Sequence, residues 1–263
     1  MNESGETQTL PQVVNSPRFS LIAEIRLAAA FLTIAPVGPR QVMSEGAVAA
    51  SLAWFPLIGF IIGLALVAED WMLAFMLAPI VRSVLLVASL AAITGAVHLD
   101  GLADTADALG AGSDRDRALA ILRDSRVGSF GAIALFFVLA IKVVAIATAI
   151  GPSRYAALML APGIGRWAMV AASYRLNYLR PLGAGGTLLG RKGMRNLAIA
   201  SATAMVALGF FISWPTIGAY VAAVITMMAF RWAYSRWLGG VTGDLIGACG
   251  EIVETLVMLI VAS

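Results

Sequence analysis

Three aspartates, Asp100, Asp104 and Asp107, stand at i, i+4 and i+7 in the run HLDGLADTADALG that starts at His98. On a helix this spacing gathers them within about 60° of one face. Carboxylates that close repel one another unless a cation lies between them. A divalent metal is the economical neutraliser, and the flanking residues are Leu, Ala and Thr rather than the Lys or Glu of a solvated face. An all-oxygen donor set favours Mg²⁺ or Mn²⁺. The plainer alternative is a solvated helix face at a membrane border. Against it, the run starts at the edge of a long apolar stretch, where charge is costly. His98, the single histidine, is read as a hydrogen-bonding neighbour of these carboxylates or as a general base.

Two further groups can do chemistry. A short helix is expected from about Asp114 to Arg126, capped by Ser113 or Asp114 and ended by Gly128. Within it Arg123 and Arg126 are i, i+3 neighbours that can clamp a phosphate, and Gly128 and Gly131 just beyond let backbone approach a ligand closely. Equally, any cytoplasmic loop of a membrane protein collects arginines. Nearer the C-terminus, Asp244 and Glu251 are seven residues apart, on one helical face, with Glu254 a turn further on. Carboxylates entering an apolar helix are functional candidates by default. Their partner is the same metal, a substrate cation, or Arg166 or Lys142, the last two making a structural ion pair inside the bundle. The glycine-rich, basic run 183–192 lacks a phosphate-loop spacing and is expected to be a flexible loop.

These residues need elements to hold them, and the composition says what kind. Of 263 residues 60% are apolar and only 13% charged, with mean hydropathy +0.89. Soluble domains carry about 25% charged residues. Fifteen carboxylates and eighteen cations cannot coat a soluble domain of this size, so the surplus apolar surface must face lipid. A soluble enzyme, a disordered chain and a nucleic-acid module are excluded, and the net charge of +3 needs no nucleic-acid partner. A single cysteine, Cys249, excludes an internal disulfide and a cysteine zinc site.

The expected fold class is all-α: a polytopic integral membrane helix bundle of about seven spans, at roughly 48–68, 78–98, 129–150, 155–174, 196–213, 215–231 and 245–262. Residues 1–17 are polar, lack the basic start and apolar core of a signal peptide, and are expected to be a disordered cytoplasmic tail. Residues 18–35 read as an amphipathic or interfacial helix ended by Pro36 and Pro39. Residues 18–263 then form one membrane-embedded catalytic domain, with 98–128 as its cytoplasmic motif loop. With the N-terminus in the cytoplasm, fourteen of the eighteen Lys and Arg fall on the inner side or its margins, and Arg154 alone in the outer loops. Arg82, Lys142 and Arg166 lie within spans.

The runs HLDGLADTADAL at 98–109 and RDSRVGSFG at 123–131, with Thr242-Gly243-Asp244, Glu251 and Glu254 near the C-terminus, resemble the cobalamin synthase family of adenosylcobinamide-GDP ribazoletransferases. Phe55-Pro56-Leu57-Ile58-Gly59 and Asp114-Arg115-Asp116-Arg117 support the likeness, which covers about 50 to 260. Between 132 and 238 it rests on apolar character and Gly165-Arg166, and Ala108 stands where the family often has glycine.

The resemblance implies a Mg²⁺-dependent enzyme of the bacterial inner membrane, with its active site facing the cytoplasm. Its substrates would be adenosylcobinamide-GDP and alpha-ribazole or its 5′-phosphate. The ribose hydroxyl attacks the cobinamide-bound phosphorus, GMP leaves and the nucleotide loop of the corrinoid is closed. The lipid bilayer, further copies of the chain and other corrinoid-pathway enzymes are the expected partners. In this reading Asp100, Asp104 and Asp107 hold metal, and Asp244 and Glu251 complete a second metal shell. Asp124, or else His98, accepts the proton, while Arg123 and Arg126 clamp phosphate.

Three rivals fit less well. A CDP-alcohol phosphotransferase needs an Arg where Asp104 stands and a different later spacing. An aspartate-rich prenyltransferase needs a second Asp-rich run, which Asp244 to Glu254 imitates poorly. An ion-coupled transporter places its acids mid-membrane on broken helices.

Overall fold

The computed structural model describes residues 20–38, 45–124, 126–179 and 193–263. The tail at 1–17 and the glycine-rich run 183–192 lie outside them.

Helix α1 (Leu21–Leu32) and the short α2 (Glu45–Ser51) lead through a single 3-10 turn (Leu52–Trp54) into α3 (Phe55–Leu73). There follow α4 (Pro79–Ile93), α5 (Val97–Leu109), α6 (Arg115–Ile121), α7 (Ser129–Thr148), α8 (Pro152–Ser173), α9 (Gly193–Phe210), α10 (Trp214–Trp237) and α11 (Gly243–Ala262). Among the described residues, six stretches are long and apolar enough to cross a membrane, and α4 with α5 makes a seventh if the bent pair counts as one. The all-α, multi-pass membrane fold expected from the sequence is what the chain adopts.

The bundle is organised around α8. Of its most apolar stretch 94% is buried inside the protein, against 17% for α9. In lipid, apolar side chains gain little by leaving the solvent, so helices associate through close van der Waals packing at small residues. Here those residues are glycines. A Cβ on Gly59 of α3 would lie 2.5 Å from the Pro162 carbonyl oxygen of α8, and one on Gly63 would lie 2.7 Å from that of Met159. On the other flank, a Cβ on Gly165 would lie 2.9 Å from the Gly250 carbonyl oxygen of α11. Thus α3 and α11 clasp α8 from two sides at backbone contact.

One expected element is corrected. The span 78–98 is not a single helix: α4 ends at Ile93, and α5 leaves it at 90°. Gly95 (φ 61°) and Ala96 (φ 56°) are both left-handed. That conformation is ordinary for glycine and costly for alanine. It persists because the freed carbonyls at the end of α4 are satisfied. Thr94 Oγ1 donates to Leu90 O at 2.9 Å and to Ala91 O at 3.2 Å, and Ile34 N donates to Ile93 O at 2.9 Å. The apolar run of 78–98 continues past Gly95 into Ala96 and Val97, so its length conceals this elbow. A second correction concerns α6, which stops at Ile121 instead of running to Arg126. Asp114 caps it as expected, accepting from Arg117 N at 3.0 Å.

Gly59→Ala should lower the thermal unfolding midpoint of the detergent-solubilised protein by several degrees, in line with an overpacking cost of about 1–3 kcal/mol. Gly209→Ala, where a Cβ meets nothing within 4 Å, should not lower it.

Candidate active site

Helix α5 crosses the start of α11 at two glycines. A Cβ on Gly101 would lie 2.8 Å from Asp244 O, and one on Gly247 would lie 3.4 Å from His98 Cα. This approach brings Asp244 beside the turn of α5 that carries Asp100 and Asp104. The two acidic groups, remote in sequence, therefore share one end of the bundle. Asp100 is exposed, and Asp104 and Asp244 are half-buried. Thr242 caps α11 through Leu245 N at 3.3 Å, and its hydroxyl donates to Asp244 Oδ2 at 3.3 Å, fixing that carboxylate at the helix start.

Asp107 has a different occupation. Its carboxylate accepts from Gly128 N at 2.7 Å and Gly131 N at 2.9 Å, the unpaired amides at the start of α7. A Cβ on either glycine would collide with that carboxylate. Gly128 thus does not end α6 but begins α7, with a conformation set by Asp107. This contact ties the loop 110–128, with its arginines, to the acid-bearing helix.

In that loop Arg123 and Arg126 lie beyond α6, so the helical i, i+3 relation expected for them does not hold. Arg123 is exposed. Arg126 is 87% exposed and forks onto Asp124, with Nη2 2.6 Å from Oδ2 and Nε 3.0 Å from Oδ1. The Arg126 guanidinium and backbone N–H hold the Asp124 carboxyl below the usual carboxylate range. Asp124 is therefore ionised at neutral pH, and as placed it is a weakened base.

Deeper in the bundle the remaining candidates meet two cations. Lys142 of α7 donates to Glu251 Oε2 at 2.6 Å and to Glu254 Oε1. Arg166 of α8 pairs with the other oxygen of Glu254 and lies 3.4 Å from His98 Nδ1. All five residues are buried. Two carboxylates face two cations, so the lattice is balanced in charge, with His98 at its edge. Of the partners open to Glu251 and Glu254 in the sequence, the structure shows the ion pair with Lys142 and Arg166.

The five carboxylates expected to ligate metal are consequently not one constellation. Among the described residues no three His, Cys, Asp or Glu side chains gather closely enough to hold an ion by themselves. Asp107 serves α7 and Glu251 serves Lys142, while Asp100 and Asp104 on α5 and Asp244 on α11 lie on the two helices that cross at Gly101. That smaller set suits Mg²⁺, which commonly takes one or two carboxylates and fills its sphere with water and phosphate oxygens.

Three other contacts have no signal in residue spacing. Arg154 grips Asp70 through Nε at 2.8 Å and Nη2 at 2.7 Å, at the far end of the bundle. Arg231 donates to Ala171 O, Ala172 O and Tyr174 O at 2.7–2.9 Å, closing the end of α8. Arg115 Nε donates to Leu238 O at 3.0 Å, tying α6 to the end of α10.

Comparison with known proteins places these features. The family model described as cobalamin-5-phosphate synthase matches residues 24–262. The adenosylcobinamide-GDP ribazoletransferase of Syntrophobacter fumaroxidans is 38% identical over 238 residues, covering 88% of this chain and 94% of the relative. The protein of the same name from Geotalea daltonii is 36% identical over 234 residues, covering 89% and 94%. No solved structure matches.

Removing one partner of a buried pair strands a charge, at about 3–5 kcal/mol. Lys142→Met should therefore sharply reduce thermal stability, and the double variant Lys142→Met/Glu251→Gln should recover most of it by restoring charge balance. Asp107→Ala should speed amide exchange at Gly128 and Gly131 while leaving the exchange of α8 unchanged, as read by hydrogen–deuterium exchange mass spectrometry.

Proposed function

We propose that this chain, which belongs to the cobalamin-5-phosphate synthase family, transfers the cobinamide phosphate of adenosylcobinamide-GDP to a ribose hydroxyl of alpha-ribazole or its 5′-phosphate, releasing GMP. The protein is an enzyme of cobalamin synthesis and spans a membrane several times. The finer chemistry, the metal and the orientation are our reading. It is carried by the crossing at Gly101, which brings the start of α11 with Asp244 to the helix that bears Asp100 and Asp104, and by the anchoring of the arginine loop on Asp107 of that same helix.

The reaction forms one phosphorus–oxygen bond, from the ribose hydroxyl, and breaks one, to the phosphate that departs with GMP. The hydroxyl proton must go to a base, and the charge on the diphosphate must be offset. Asp100, Asp104 and Asp244 would hold Mg²⁺. Bound there, the ion would neutralise phosphoryl charge and orient the diphosphate. Arg123 and Arg126 would pair with phosphate oxygens. When the Arg126 guanidinium turns to a phosphate it leaves Asp124, and the larger of the two influences depressing that carboxyl is removed, the backbone N–H staying in place. Asp124 then becomes a better base at the moment substrate is in place. His98, buried against Arg166, is the less favoured acceptor. Asp107 positions the loop, and Glu251 supports α11 from within the bundle. We place this end of the bundle in the cytoplasm of a bacterium, at its inner membrane, on the distribution of cations.

Membranes supplied with labelled adenosylcobinamide-GDP, alpha-ribazole and Mg²⁺ should release GMP and form a completed corrinoid, and chelation should stop both. Asp104→Ala should cut turnover by roughly a thousandfold while the protein stays folded in the membrane. Near-normal turnover in that variant would overturn the metal assignment. Absence of GMP release by the wild type would overturn the reaction.

A further inference from the structure

Helix α7 runs for 20 residues, so its C-terminal end lies about 30 Å from the acids. There the end of α3 and the starts of α4 and α8 surround a cavity of about 270 Å³ lined by Asp70, Arg82, Arg154 and Tyr155 among others. The charges around it do not cancel. Asp70 is buried, and both its oxygens are taken by the Arg154 fork. The remaining Arg154 nitrogen is spent on Ser83 Oγ and the Ile146 carbonyl at the end of α7. The next carboxylate, Glu69, accepts from Ser89 at 2.7 Å. Arg82 is left over. Its Nη1 donates to Asp70 O at 3.2 Å and is 3.4 Å from the already paired Oδ1, and its Nε is buried with no partner.

Two arginines that share one carboxylate beside an apolar wall are costly unless a further anion completes them. Two features add to the demand. The starts of α4 and α8, both long helices, bring Pro79 and Gly151 to the cavity wall and direct their positive dipole ends towards it. Beside it, on the turn from α3 to α4, Trp71, Phe75 and Met76 are 61–80% exposed. Such side chains suit the headgroup level of a bilayer.

We propose that this cavity is a binding site for the phosphate of an anionic phospholipid, whose oxygens pair with Arg82. The volume admits a phosphate group with part of its glycerol, and the exposed apolar turn offers the acyl chains a surface. This site lies at the far end of the bundle from the catalytic acids and stands independently of the reaction assigned to them.

The test uses the full chain in phosphatidylcholine nanodiscs titrated with phosphatidylglycerol, read by thermal unfolding and by native mass spectrometry of retained lipid. Phosphatidylglycerol should raise the unfolding midpoint of the wild type and remain bound. In Arg82→Gln the apparent affinity should fall about tenfold or more, as expected for one charge-assisted contact, and Arg82→Lys should keep part of it. Ala147→Phe, which fills the cavity and leaves both arginines in place, should lose the response as well. That variant carries the test if Arg82→Gln does not fold. No response in the wild type, or an undiminished one in Ala147→Phe or folded Arg82→Gln, would overturn the site. An equal gain from inorganic phosphate in discs free of phosphatidylglycerol would overturn the lipid as its occupant.

Discussion

Two cations and two carboxylates enclosed among apolar helices must be paired or the bundle does not form. Lys142 of α7, Arg166 of α8, and Glu251 and Glu254 of α11 meet that demand together. The pairing fixes the rotation of three helices at once, because a helix turned by one residue would swing its charge through about 100° into lipid or apolar side chains. A lattice of this kind adds little net stability over an apolar core, but it penalises every wrong register severely. The glycine contacts set how near the helices lie, and the charges set which faces meet.

That registration reaches the surface. His98 borders the lattice through Arg166 and packs against Gly247, so the first turn of α5 is placed by the same network that places α11. From there Gly101 carries Asp100 and Asp104 over the start of α11, where Asp244 waits. Asp244 lies in the first turn of α11, beside the helix α5 that bears Asp100 and Asp104, while the carboxylates further down α11 are paired inside the bundle. A single helix thus bears acids of two kinds, distinguished by depth: Asp244 at the mouth, and Glu251 and Glu254 two and three turns below.

Much of this was legible in residue types alone. Among the described residues the apolar stretches foretold six crossing helices to within several residues but not the bend in the stretch 78–98, and the i, i+4, i+7 aspartates do sit on a helix. Proximity across the chain was not legible. Asp107 resembled its two neighbours in sequence, yet its oxygens are taken by amides of Gly128 and Gly131, a role decided by where α7 begins. Glu251 looked equivalent to Asp244 by spacing, but only packing reveals that Lys142 lies opposite it. The elbow at Gly95 and Ala96 left no signal, since a left-handed alanine is permitted by its surroundings and not by its own preference. Asp70 and Arg154 are 84 residues apart, and nothing in either neighbourhood marks the other.

The elbow has a mechanical consequence. Two successive left-handed residues break the rigid rod between α4 and α5, and the hydrogen bond from Ile34 fastens the joint to the segment after α1 rather than to α4 alone. Had 79–109 been one straight rod, any tilt that α4 takes up to match a thicker or thinner bilayer would be levered onto the aspartates. As built, that lever is broken at the joint, and α5 is moored to α11 at Gly101 and Gly247.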